Sequence, residues 1–141
     1  MKGEGGYTLV EMLIVISLIA ILALLALVNF FPGFEGWRLN GAARTVASDL
    51  NLVKMMAISR NESVRMSYMS NQRYVVELTN GTDLLPERNL NNDYTGVTLT
   101  NFNNVTFNSR GLANNNTITL RNSVGSTRDV VVLRTGRVRI N

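Results

Sequence analysis

The feature that most limits what this chain can become is an uncharged apolar run: from Met12 to Phe34 no residue carries a charge. Coiled into a helix it would extend ~34 Å, enough to cross a hydrocarbon core of about 30 Å. The run therefore predicts a membrane span. A cleaved secretory signal fits less well, because its apolar core would be roughly 7–15 residues long and would end in a small-x-small cleavage site. Here Ala20, Ala23 and Ala26 are spaced by three. At the mouth of the run stands Glu11, and an ionised carboxylate is expensive near a bilayer and tends to be functional there. A structural reading stands beside the functional one. Thr8-Leu9-Val10-Glu11 has the T-x-x-E form of a capping box, and a negative charge at a helix N-terminus is favoured by the macrodipole.

The rest of the 141 residues suffices for one compact domain of roughly 80–110 residues. Neither cysteine nor histidine occurs. Disulfides and thiolate metal sites are thereby excluded, and the usual general base and zinc ligand are missing. The composition predicts a protein that is not an enzyme and holds no cofactor or metal. Asp83, Glu87 and Asp93 lie close in sequence, but among Leu84, Leu85, Pro86 and asparagines they read as a solvated loop.

Beyond the run, "NFFPGFEGW" places Pro32, Gly33 and Gly36 where a kink or partial melting of the helix is expected. The helix then resumes over 37–60. Leu39, Ala43, Val46, Leu50, Val53 and Ala57 draw one apolar stripe, opposite Arg44, Ser48, Asp49, Asn51 and Lys54. Met55 and Met56 read as packing residues. From residue 62 to 141 the pattern becomes short β-rich runs: Ser63–Met69, Arg73–Leu78, Val97–Thr100, Val105–Asn108, Thr117–Arg121, Asp129–Arg134 and Arg137–Ile140. Eleven of the 34 residues from Asn89 to Asn122 are asparagine, which marks exposed loops between strands. The expected fold class is α+β: a long N-terminal helix, its first half spanning a membrane, then an all-β domain of two packed antiparallel sheets with the helix against one of them.

Charge is unevenly placed. Residues 1–100 hold eight Lys and Arg against nine Asp and Glu, whereas residues 101–141 hold six Arg against Asp129 alone. Such a bias fits an anionic partner or a solvated sheet face. The ending "DVVVLRTGRVRIN" sharpens the choice. Gly136 supplies the positive φ that a two-residue hairpin turn needs, so Arg134 and Arg137 should flank the turn. Alternation then sets Arg137 and Arg139 on one face and Val138 and Ile140 on the other. Always charged and able to donate bidentately, the guanidinium groups suit phosphates along a nucleic-acid backbone. Charged outward positions on an edge strand, which discourage aggregation, would look the same.

The stretch "GG/YTLVEMLIVISLIAILALLAL" resembles the class III leader and N-terminal helix of type IV pilins and the pseudopilins of type II secretion. The layout of long helix, all-β domain and "VVVLRTGRVRI" ending resembles the GspH/FimT type within that superfamily. The resemblance implies a leader peptide over 1–6, cut by a prepilin peptidase after Gly6, with methylation of the new N-terminal Tyr7. It implies a transmembrane and assembly helix over 7–34, in which Glu11 serves filament assembly with other pilin or pseudopilin subunits, and a periplasmic globular domain over 35–141. The protein would be a minor pilin or pseudopilin, held in the bacterial inner membrane by a single pass and then assembled near the tip of a type II secretion pseudopilus or a type IV pilus. In the FimT branch a G-R-x-R ending, here Gly136-Arg137-Val138-Arg139, is associated with DNA capture in natural transformation. That branch implies double-stranded DNA as a partner of Arg134, Arg137 and Arg139, with Arg110, Arg121 and Arg128 as an extension. Tyr7 departs mildly from the superfamily, where phenylalanine is commonest, and Glu4 beside Lys2 weakens the positive charge of the leader.

Overall fold

A computed structural model describes residues 7–141, with side chains for all of these except 25–33. The expected leader, and Gly6 within it, lie outside the described residues. The chain divides into two compact units, Met1–Phe34 and Glu35–Asn141. One helix, α1 (Leu9–Arg60), supplies the described secondary structure of the first unit and opens the second. Helical assignment is continuous through Pro32, so the melting expected there does not occur. Proline removes one backbone donor, and the turns on either side keep theirs.

In the first unit the apolar side chains from Leu9 to Leu24 are exposed all around the helix. A helix apolar on every side belongs in a membrane or between other helices rather than on a protein surface. Among the described residues no helix is long and apolar enough to cross a membrane. The expected span, Met12 to Phe34, runs through 25–33, whose side chains lie outside the described residues.

In the second unit the expected stripe is buried. Leu39, Ala43, Val46, Leu50, Val53 and Ala57, with Ala42 beside them, are almost wholly removed from solvent. α1 stops where Asn61 turns left-handed at φ 55°, with Glu62 N–H bonded back to Ala57 O. Asparagine tolerates that conformation through its short polar side chain, and the bond satisfies one orphan carbonyl of the last turn.

Two antiparallel four-stranded sheets follow. The first runs β3 (Arg88–Asn89), β2 (Arg73–Leu78), β1 (Val64–Ser70), β5 (Val105–Phe107). The second runs β4 (Thr98–Asn101), β6 (Asn116–Arg121), β7 (Thr127–Val132), β8 (Val138–Ile140). Alternation fixes which side of each strand is dry. Val64, Met66, Tyr74, Val76 and Phe107 of the first sheet, and Leu99, Ile118, Leu120, Val130 and Val132 of the second, join the helix stripe in one cluster. The helix engages both sheets, not one: Tyr74 Oη on β2 donates to Asp49 Oδ2 (2.6 Å), and Arg128 Nε on β7 donates to Asn40 Oδ1 (2.8 Å). Met56 packs against the cluster, whereas Met55 is 63% exposed.

All seven expected strands occur, their ends shifted by at most two residues, and Arg73–Leu78 is met at both ends. The eighth, β3, and the short helix α2 (Leu90–Asp93) were not legible. Both lie in the stretch read as a solvated loop, and they are held by contacts that sequence spacing does not show. Leu90 is buried, the Asn89 side chain caps Asn91 N–H, Glu87 pairs with Arg73 (3.0 Å), and Asp93 lies 3.6 Å from Arg88.

A carboxylate on β2 sets an acid limit to stability. Glu77 accepts from the Ser67 hydroxyl and from Arg65 Nη2 (2.7 Å), and these bonds hold its pKa below the ordinary 4.5. The folded state thus gains from the ionised form, a gain fully present above about pH 4.5 and lost as pH falls through the lower native value. Thermal unfolding followed from pH 7 to pH 3 should show a loss below about pH 4.5. Glu77→Gln should lose much of that pH dependence, and an unchanged profile in the variant would assign the acid limit elsewhere.

Candidate functional site

At the N-terminal end, Thr8 starts the helix. Its carbonyl accepts from Met12 N–H (3.2 Å) and its hydroxyl from Glu11 N–H (3.2 Å). This is half of a capping box. The other half, the Glu11 carboxylate reaching back to Thr8 N–H, is not formed, and among the described residues the carboxylate of Glu11 has no partner. Tyr7 is exposed. Threonine alone does the capping, which leaves an exposed carboxylate at the mouth of an apolar helix.

At the other end of the chain, the β7–β8 hairpin turns through three residues rather than two. Leu133 and Arg137 face each other, with Leu133 N–H donating to Arg137 O (2.9 Å), and the loop is Arg134, Thr135 and Gly136. Gly136 closes it at φ 75°, the left-handed position of a type I turn followed by a bulge. Arg134 consequently sits in the loop itself instead of flanking it. Arg137 and Arg139 are exposed, while Val138 is half-buried against the core and Ile140 is exposed at the chain end.

A second loop of the same design lies against the first. Asn108 N–H donates to Leu112 O (2.9 Å), the Asn108 side chain accepts from Arg110 N–H and Leu112 N–H (each 3.0 Å), and Gly111 takes φ 74°. Ala113 N–H donates to Arg134 O (3.1 Å), and a Cβ added to Gly136 would overlap the carbonyl oxygen of Gly111. Lys54 of α1 completes the contact, its Nζ donating to Gly136 O (3.1 Å). Two glycine loops and a lysine thus bring Lys54, Arg110, Arg134 and Arg137 into one basic cluster with Arg139 two residues along. None of the five forms an ion pair among the described residues.

Arg121 and Arg128, expected to extend this patch, do not belong to it. They lie at the other end of β6 and β7, where Arg128 is engaged with Asn40. Lys54 was read as part of the solvated helix face. No signal could have found it, because its partner is 82 positions away in sequence.

A groove of about 300 Å³ lies between α1 and β2. Its polar wall is closed on itself: Tyr74 donates to Asp49, and Arg88 Nε lies 3.3 Å from the same carboxylate. Burial, then the bond to Asp49, push the Tyr74 phenol far above its ordinary value, and the bond to Asp49 raises Arg88. These groups serve as a structural pin. Among the described residues no cluster of three or more acidic, histidine or cysteine side chains is placed to hold a metal.

Comparison with protein families finds two matches. Residues 42–136 match the family described as type II transport protein GspH, a region that runs from the helix stripe to Gly136. The chain belongs to the GspH family. Residues 1–27 match the prokaryotic N-terminal methylation motif. Two solved structures share the fold, both of the type IV minor pilin FimU of Pseudomonas aeruginosa PAO1. One is 15% identical, with a TM-score of 0.63 over 76% of this chain and 90% of that one. The other is 15% identical, with a TM-score of 0.59 over 73% of this chain and 92% of that one. No curated protein matches. This chain is therefore a type IV pilin-like protein of the GspH family.

Proposed function

We propose that this protein is a structural subunit, inserted once in the bacterial inner membrane with its globular unit in the periplasm. A prepilin peptidase cuts it after Gly6 and methylates Tyr7. Through α1 it then joins a type II secretion pseudopilus or a type IV pilus, near the tip. The observation that carries this reading is the methylation motif over 1–27 together with a Glu11 carboxylate that capping leaves unused. In a filament core that carboxylate would pair with the N-terminal amine of a neighbouring subunit, and the match would favour one axial register. The fold shared with a type IV minor pilin fits a filament subunit. The test is mass spectrometry of the protein from cells with an active prepilin peptidase. An N-terminus at methylated Tyr7 is expected, and an intact Met1–Gly6 would remove the assembly reading.

A second reading is favoured by the twin-loop cluster, where Lys54, Arg110, Arg134 and Arg137 meet without a carboxylate partner among the described residues. On that reading the filament also captures double-stranded DNA through its phosphates, with Arg139 contributing. The full chain in detergent should then shift DNA in a gel with an affinity that falls steeply as salt rises, since each neutralised phosphate releases counterions. Arg137→Ala/Arg139→Ala should weaken binding on the order of tenfold or more, with a shallower salt slope. No shift, or one that the double variant retains in full, would return these arginines to protecting an edge strand.

A further inference from the structure

Trp37 is the only tryptophan in the chain, and it stands three residues beyond the end of the uncharged run at Phe34. Its side chain is 83% exposed. A second apolar side chain is exposed at the same end of the globular unit. Val124, 70% exposed, is in the β6–β7 turn. That turn is built on Asn122, whose N–H and side chain bond with Ser126 (3.0 and 2.8 Å), and Gly125 closes it at φ 90°. Two contacts pin the turn to the start of the unit's helix: Ser123 Oγ donates to Glu35 Oε2 (2.9 Å), and Arg128 Nε to Asn40 Oδ1. Val124 therefore lies where the chain enters the unit from its apolar run. Arg121 and Arg128 flank the turn, are exposed, and form no ion pair among the described residues.

An exposed tryptophan at the end of an apolar run has the position of a membrane-interface anchor, since its ring is apolar and its N–H still finds water or a headgroup. A valine tip between two arginines suits the same layer. The apolar tip leaves water while the guanidinium groups meet lipid phosphates, and such basic residues are attracted to anionic leaflets. We propose that this end of the globular unit is a docking surface for anionic phospholipid, with Trp37 and Val124 entering the headgroup layer and Arg121 and Arg128 bound to phosphates. The inference rests on the membrane insertion proposed above, and adds to it that this end of the unit rests on the bilayer until assembly pulls it away. β7, six residues long, would set the twin-loop arginines about 20 Å further out. They would then face away from the lipid.

The chain carries its own reporters, with one tryptophan and no cysteine. The full chain would be reconstituted into vesicles of phosphatidylcholine with about a third phosphatidylglycerol, with a spin label on Val124→Cys or, for comparison, on Thr135→Cys. Trp37 should be quenched by lipids brominated near the headgroup and shielded from aqueous iodide. The label at 124 should sit at headgroup depth, and the label at 135 in water. Arg121→Gln, an exposed side chain whose loss leaves the Asn40 bond intact, should move the label at 124 towards water. A label at 124 as wet as the one at 135, in protein that floats with the vesicles, overturns the inference and leaves membrane insertion standing. The same depth in vesicles without anionic lipid, or a depth that tracks protein concentration as self-association would, also overturns it. Failure to float removes the insertion reading and the inference with it.

Discussion

Gly136→Ala should destabilise the globular unit by about 2–5 kcal/mol, measured by denaturant unfolding of the full chain in detergent. Two costs add. An L-residue held at positive φ loses roughly 1–2 kcal/mol, and Gly136 sits at φ 75°. Forcing a methyl group into a filled contact costs about 1–3 kcal/mol more, and here the Cβ would run into the backbone carbonyl of Gly111, which cannot rotate away. Gly81 is the natural control, because it takes φ 89° with nothing within 4 Å of an added Cβ. Gly81→Ala should therefore show the conformational cost alone, about 1–2 kcal/mol. Equal losses at the two positions would mean that the Gly111 loop simply moves aside and that the docking of the loops holds nothing. The effect reaches function as well as stability, since the contact broken at Gly136 is the one that sets Arg110 beside Arg134 and Arg137.

Glu11→Ala should leave membrane insertion intact and reduce incorporation into filaments by about a hundredfold to a few thousandfold, counted by immunoblot of sheared filaments against the membrane pool. Breaking a buried ion pair by removing one partner costs about 3–5 kcal/mol, and each 1.4 kcal/mol is a factor of about ten. The discriminating variant is Glu11→Gln. Glutamine serves as well as glutamate in a capping box but carries no charge. If Gln assembles like the natural chain, the residue acts on its own helix and the pairing reading falls. If Gln fails as Ala does, the charge is what the filament uses. The structure favours that outcome, because the capping bond at this helix end comes from the Thr8 hydroxyl and not from the Glu11 side chain.

What the sequence determined by itself were the features governed by local pattern. The helix stripe from Leu39 to Ala57 followed from a 3.6-residue period, and the strands from alternation bounded by Asn and Gly. The motif around Gly6, Tyr7 and Glu11 is likewise contiguous, which is why a short stretch could name the superfamily. Tertiary structure decided whatever depends on which distant segments meet. β3 and α2 exist because Leu90 is buried and Arg88 reaches Asp49, 39 positions away. The six C-terminal arginines are alike in sequence, but packing sorts them. Gly136 against Gly111 gathers Arg110, Arg134 and Arg137 around Lys54, while the Asn122 turn carries Arg121 and Arg128 to the opposite end of β6 and β7. Periodicity reports which side of an element is dry; it holds no information on which loops share an end of a sheet, because that is set by strand order and register between residues far apart in the chain.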